Sequence, residues 1–456
     1  MNKPAVLASP AESLLGADGV RTSQTALAQH ALDGLSPSVV VVPDTSEAVA
    51  EVLKWAHKDG LGVVAWGSGS RIGLGARPSR YDIAISLSRL NRIMEHDVDN
   101  LTLTAQAGVT LLEAARTTVA HNQMLAAGWP WSLRTVGGLI SANRPVPKRL
   151  LYGSVRDQLL GVRVALADKG LVGFGGKVLK NVAGYDMTKL VIGSLGTLGV
   201  IVEATFKLFA SPHRETYLAA AVASPILAAS LATRLINGPL RPACLFLLSP
   251  LAAERMARAQ KLAKPTLEWA LVAGFDGRSE AIGRQIADAR ALITQAGGDP
   301  RPEFDAIGEA GGRCLTAEEE SPPSALRLRV GIAPGSVGEA LAYLETESPG
   351  EKLIDAVADH PGGAITLTFS LPEAPDESLL TDTADRIERI RAWLDKHAGF
   401  AVLEQAPAPY KSRISPWGRS SGAERAMGLI KSRLDPKGIL SPGRYPEMTG
   451  HIGPGS

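Results

Sequence analysis

The chain has 456 residues, 45% hydrophobic and 21% charged, an ordinary globular composition long enough for more than one domain. Lys+Arg 48 against Asp+Glu 46 leaves a formal charge of +2, and no basic run of five or more occurs, so composition gives no argument for nucleic acid. Cys244 and Cys314 lie 70 residues apart and form no CxxC, which excludes an iron–sulfur or zinc site and a disulfide framework and fits a reducing, cytoplasmic setting.

The opening MNKPAVLASPAESLLGADGV lacks the sustained apolar core of a signal peptide. Residues 38–110 read as an α/β unit. A buried strand, SVVVV, ends at Pro43, and a helix from Asp44 or Thr45 places Val49, Val52, Leu53 and Ala56 on one face before Gly60. A second strand, LGVVAW (61–66), runs into GSGSRIGLG. Strands follow at 82–87 and 101–109, then a helix opened by a Thr110/Glu113 capping box. Residues 159–174 read as a hairpin turning at Asp168-Lys169-Gly170.

After Ser211-Pro212 the sequence becomes richer in Ala and Leu. Thr216–Thr233 carries no charge for eighteen residues, but Ser224-Pro225 interrupts it as a strand-to-helix turn, so no transmembrane segment is expected. A weak repeat relates 217–236 to 326–345: each is strand, Pro turn and helix, followed by a second strand (269–275 or 364–371) and a second helix. Two such halves are expected to form one antiparallel sheet covered by helices on a face. The connector 298–325 reads as a surface loop.

Chemistry concentrates in three glycine-rich stretches. Gly67, Ser68, Gly69, Ser70 and Arg71 follow a strand, where backbone N–H groups converge on an anion and Arg71 adds charge. There is no GxxxxGK[ST] and no GxGxxG opening a helix, so neither a nucleoside-triphosphate loop nor a nicotinamide Rossmann site is expected. The second stretch is Thr135-Val136-Gly137-Gly138-Leu139-Ile140-Ser141-Ala142-Asn143, followed by Leu151-Tyr152-Gly153-Ser154-Val155-Arg156-Asp157. The third, Gly173–Leu208, is nearly free of carboxylates and brings backbone close to something large and flat.

Together these pieces resemble the FAD-binding PCMH-type domain of flavin oxidases related to vanillyl-alcohol oxidase. The run from Gly175 to Ile201, with APAPYKSRISPWG and DPKGILSPGRY near the end, is similar to the FAD-binding E subunits of bacterial glycolate oxidases. The resemblance covers 38–212 and 401–445 well and the intervening region only by layout. It implies an α+β fold: a PCMH-type domain of two α/β subdomains over residues 1–212 (core 36–212), an antiparallel α/β cap over 213–400, and a segment 401–456 returning to the first domain. It also implies that Gly67–Arg71 wrap the FAD pyrophosphate. Thr135, Val136, Gly137, Gly138 and Ser141 would run along the ribityl chain and pyrophosphate. Gly153, Arg156 and Asp157 would line the flavin's approach, Gly199, Val200 and Ile201 would touch it by backbone, and Ser441 would lie near the isoalloxazine.

The implied activity is oxidation of a small 2-hydroxy acid, glycolate or D-lactate, beside a second FAD subunit and an iron–sulfur subunit. The alternative is an FAD-bearing relay subunit with no substrate site of its own. GSGSR replaces the more usual GGGT(K), and no histidine stands in that turn, so the FAD is expected to be non-covalent. The stretch Asp355–Leu371 holds only His360, not the HxGDGNxH-like pattern of larger relatives, and no metal is expected. Trp129 and Trp131 either edge the flavin or pack in a core. Lys180, Lys411 and Arg444 either place positive charge by the flavin or a substrate carboxylate, or are solvated. Asp157 and Asp186 either act as bases or cap local turns.

Overall fold

The computed structural model describes residues 3–445 apart from 131, 178–185, 262–267, 306, 308, 316–324, 348–354, 373 and 419–421. Val39–Val41 (β1) is buried throughout, as a β-branched run covered on both faces should be. Thr45 caps Ser46–Asp59 (α1), its hydroxyl accepting from the Ala48 amide at 3.1 Å, and Gly60 closes the helix in the left-handed region. Val63–Trp66 (β2) and β1 both pair parallel with Ile83–Ser86 (β3), while Val20–Arg21 adds an antiparallel edge to β1.

A second, antiparallel sheet is built from Ile93–Asp97 (β4), Thr102–Gln106 (β5), Leu159–Leu166 (β6), Gly170–Gly175 (β7) and Val200–Lys207 (β8). Its order is β4–β5–β8–β6–β7, with β6 and β7 forming the expected hairpin. Strand β4, IMEHD, escapes the sequence pattern because it is a polar, half-exposed edge with no alternating apolar face. Leu111–Val119 (α2) starts where Thr110 accepts from the Glu113 amide at 3.1 Å. Val136–Ala142 (α3) follows from TVGG, and one buried cluster from Val39 through Val136 to Phe206 joins both sheets.

The rest of the chain is dominated by a nine-stranded antiparallel sheet. Arg214–Val222 (β9) leads into Pro225–Asn237 (α4), with the Ser224 hydroxyl accepting from the Leu227 amide at 3.2 Å and Pro225 opening the helix. The charge-free run 216–233 is thus strand and helix, and no helix among the described residues is long and apolar enough to cross a membrane. Cys244–Leu248 (β10), Pro250–Ala259 (α5), Trp269–Gly277 (β11) and Ser279–Gln295 (α6) complete the first half. Ala325–Gly331 (β12), Val337–Thr346 (α7), Ala356–Asp359 (β13), Ala364–Ser370 (β14) and Glu377–Lys396 (α8) form the second. The order is Asp299–Pro300, β9, β11, β10, β13, β14, β12 and then Phe400–Gln405 (β15), with Phe304–Asp305 also pairing β9.

Helices α4, α6, α7 and α8 cover one face, as the repeat predicts. The other face is not bare: α5 packs there with Phe246, Val272 and Trp129, which places Trp129 in packing. Two expectations need correction. The connector 298–325 contributes short edge strands and a helix, Glu309–Leu315, because its few apolar residues (Ile307, Cys314, Leu315) are buried against that face. The sheet also does not end at residue 400, since β15 hydrogen-bonds to β12 along its length.

A buried ionic cluster joins the flavin-type unit to the cap. Lys148, fully buried, donates to Asp276 at 2.9 Å and to Glu215, and Tyr152 donates to Asp276 at 2.9 Å. Burial opposes the Lys148 charge, yet Glu215 and Asp276 hold its pKa above the ordinary lysine value. Removing the cation strands the buried Asp276 carboxylate and leaves the half-buried Glu215 carboxylate beside it without its partner. Lys148→Met is therefore expected to destabilise the protein by about 3–5 kcal/mol, read as a fall in the denaturant midpoint; an unchanged midpoint contradicts the account.

Candidate functional site

Strand β2, the start of α3 and residues 195–201 converge on a cleft. Gly67, Ser68, Gly69, Ser70, Arg71, Thr135, Gly137, Gly138, Ser141, Gly199, Val200 and Ile201 all line it. The backbone explains the composition. A Cβ at Gly67 would collide with the Thr135 hydroxyl, and Gly69 has φ 76°, a left-handed conformation. Thr135 caps α3 by accepting from the Gly138 amide at 3.2 Å, while Val136 and Gly137 donate to the carbonyls of Val109 and Ala107. The first amides of α3 are thereby spent. Those of Ser68, Gly69 and Ser70 make no hydrogen bond among the described residues, so the turn after β2 is the anion cradle.

Arg444 sharpens this reading. It is 2% exposed and lines the cleft. One terminal nitrogen, Nη2, donates to the Ile72 carbonyl at 2.7 Å and to that of Leu74, while Nε and Nη1 are buried without hydrogen-bond partners among the described residues. Burial pushes its pKa down to about 10, with Asp33, Tyr81 and Tyr445 opposing, so it is a cation at neutral pH. Lys411 is already committed, donating to both Asp33 oxygens at 2.8 and 2.9 Å and to the Gly73 carbonyl. A buried cation with unmade hydrogen bonds beside free amides suits a pyrophosphate, and the side-chain-poor walls at Gly137, Gly196 and Gly199 suit a flat ring. The residues present fit FAD.

Not every expected residue lies here. Val136 is buried in the core behind α3. Ser441 is buried with φ 41°, its amide donating to Val63 O at 2.8 Å; it sits behind Gly196 and does not line the cleft. Gly153 and Asp157 build a turn instead, with the Ser154 amide and hydroxyl both donating to Asp157 at 2.7 Å and holding its carboxyl below the usual range. Asp186 likewise caps a turn at Thr188. Lys180, Trp131 and most of KNVAGYD lie outside the described residues.

Arg156 lines a second cavity, open to solvent, between the flavin-type unit and the cap, together with Arg144, Arg149 and Arg329. Arg144 lines both cavities and is their common wall. Glu404 lies 3.3 Å from Nη2 of Arg144 and 3.3 Å from Nε of Arg329, its side chain 1% exposed. Sequence reading stopped at Asn143 and missed Arg144, whose ionic partner stands 260 residues further on with no local signal. Arg134 was missed too. Asp359, paired with Arg149 at 3.9 Å, is pushed by burial up to about 6. His360 is buried against Thr233, away from both cavities, and burial pushes it down to about 4. The described residues contain no cluster of three or more His, Cys, Asp or Glu able to hold a metal.

Two outcomes follow. Arg444→Met is expected to weaken FAD binding roughly ten- to hundredfold, the loss of hydrogen bonds to a charged group, measured by fluorescence titration of the apoprotein. Unchanged affinity removes Arg444 from the site. For Asp359, a native pKa raised from 3.8 to about 6 means the folded state binds the proton more tightly, so stability falls as pH rises across that window. Asp359→Asn removes this loss. Above pH 6 it should exceed wild type by on the order of 1–3 kcal/mol, with the gap closing toward pH 4 in paired thermal melts.

The comparisons agree with this geometry. Residues 37–174 match the family model for the FAD binding domain. The chain is 27% identical to glycolate oxidase subunit GlcD of Bacillus subtilis over 424 residues, 90% of this chain and 88% of that one. It is 33% identical to subunit GlcE of Escherichia coli over 177 residues, 38% of this chain and 50% of that one. The crystal structure of p-cresol methylhydroxylase with substrate bound superposes with a TM-score of 0.73 at 15% identity, covering 97% of this chain and 96% of that one. Fold, cleft and relatives converge: the chain is an FAD-dependent oxidoreductase of α+β architecture, built on a PCMH-type FAD-binding domain.

Proposed function

We propose that the chain is the FAD-binding subunit of a glycolate-oxidase-like complex, of the E-subunit type. It oxidises a small 2-hydroxy acid, glycolate or D-lactate, and passes the electrons to a second flavoprotein and an iron–sulfur subunit. The observation that carries the reading is Arg144, which is both a wall of the FAD cleft and a wall of the arginine-lined cavity. A carboxylate held there lies beside the cofactor.

FAD, when bound non-covalently, supplies a two-electron acceptor. The protein supplies position and charge. The amides of Ser68, Gly69 and Ser70, with Arg444, hold the cofactor's anionic part, and Arg144 and Arg329 hold the acid's carboxylate. Glu404 lies 3.3 Å from each of the two guanidinium groups but does not line the cavity. In this reading the chain works in the cytoplasm and reaches the inner face of the membrane only through its partners.

A second reading, an electron-relay subunit with no substrate of its own, draws support from His360. The one histidine in Asp355–Leu371 is held neutral by burial at neutral pH and lies away from both cavities. Anaerobic addition of glycolate and D-lactate to the holoprotein, alone and with the partner subunits, separates the two. Slow but measurable bleaching by the chain alone and fast bleaching in the complex is expected, whereas a chain that bleaches only when the partners are present supports the relay reading. Rapid bleaching by the chain alone defeats the relay reading, and no bleaching in either setting defeats the proposal as a whole.

A further inference from the structure

The cap places a carboxylate where Arg144 and Arg329 of the second cavity meet: Arg329 pairs with Val402, and the pleat puts Glu404 on that same face, opposite the core residues Leu328 and Leu403. Strands β12 and β15 pair with Arg327 opposite Gln405 and Leu328 opposite Leu403, so Glu404 is the extra residue of a β-bulge. Leu328 and Leu403 belong to the core beneath the cap helices. Glu404 meets Arg329 of the cap and Arg144 of the flavin-type unit, 3.3 Å from each, and almost no water reaches it.

We propose that Glu404 sets the charge of the acid the site accepts. With Glu404 ionised, Arg144 and Arg329 carry a net charge of one, matched to a single carboxylate; without it the same two arginines match a dianion. The inference rests on the reading of the cavity as a carboxylate site and adds its specificity: short monocarboxylates are favoured over dicarboxylates. Arg149, which also lines the cavity, is paired with Asp359, and Arg156 lines it from an exposed position. Arg327 is buried on β12 two residues before Arg329 and does not line the cavity. None of these changes when Glu404 does, so the comparison isolates one unit of charge. Glu404 acts through the arginines and touches no substrate, which makes it a positioning residue.

The test uses the FAD-loaded protein and two acids that cannot be oxidised at the α-carbon, acetate and succinate, titrated against the visible absorbance of the flavin. Wild type is expected to bind acetate at least as well as succinate. In Glu404→Gln, nearly isosteric, the ratio should move toward succinate by about tenfold or more, as one added charge within several ångströms at an effective dielectric of about 20 requires. The double variant Arg329→Gln, Glu404→Gln restores the net charge and should return the ratio to the wild-type value, even if the single variant folds poorly.

An unchanged ratio in Glu404→Gln overturns the proposal, as does a succinate preference that persists in the double variant. Failure of either acid to perturb the flavin in any variant overturns it too. Because neither acid turns over, the titration reads specificity independently of whether glycolate or D-lactate bleaches the flavin. Activity follows in parallel: glycolate against D-malate as bleaching substrates should shift in the same direction.

Discussion

The site depends on the return of the C-terminal segment along strand β2. Val63 donates to the Ile439 carbonyl and Ser441 donates back to Val63, so residues 439–441 lie against the strand that ends in the phosphate turn. Asp435 fixes the approach by accepting from the amides of Ile439 and Leu440 at 3.0 and 2.7 Å. With that register set, Arg444 falls inside the Gly67–Gly75 loop and grips the Ile72 and Leu74 carbonyls. An apolar side chain there would leave the anion cradle without a buried cation. A loop of small residues gains a defined shape from a segment some 370 residues away.

The two units meet through charge rather than through an apolar seam alone. Lys148 with Glu215 and Asp276 closes one part of the boundary, and Arg144 with Glu404 and Arg329 closes another. Buried ion pairs of this kind contribute little net stability relative to apolar packing, but losing one partner is costly. They hold the two units in one register. In the second case the same groups border the cavity, so the constraint that aligns the units also sets the charge presented to a ligand.

Much of the fold was legible because the first 212 residues and the cap use strong local signals. Thr45 and Gly60 bracket a helix with a clear inward face, and Ser224-Pro225 converts a charge-free run into a strand and a helix. The Gly67–Arg71 turn, Thr135–Gly138 and Gly199–Ile201 were legible as tight backbone, and the structure shows what demands it: a Cβ would meet Thr135 at Gly67, Ala107 at Gly137 and Val164 at Gly199. Strand β4 was not legible, because an exposed edge strand carries no periodic apolar face. The place of β15 in the cap was also hidden, because a strand of FAVLEQ reads the same whichever sheet it joins.

The resemblance carried by the sequence therefore pointed to the cofactor class and the α+β architecture, while the glycine turns of the cleft are written in residues close together in the chain. Only tertiary structure decided which charges serve the site. Lys411 and Arg444 look alike as isolated cations near the end of the chain, yet Asp33 neutralises the first and the second keeps two buried donors without partners among the described residues. Arg156, read from its motif as part of the flavin's approach, stands at the second cavity, while Arg144 joins both. The physical reason is that a charge acquires its role from burial and from its ionic partner, and here those partners come from the far side of the fold.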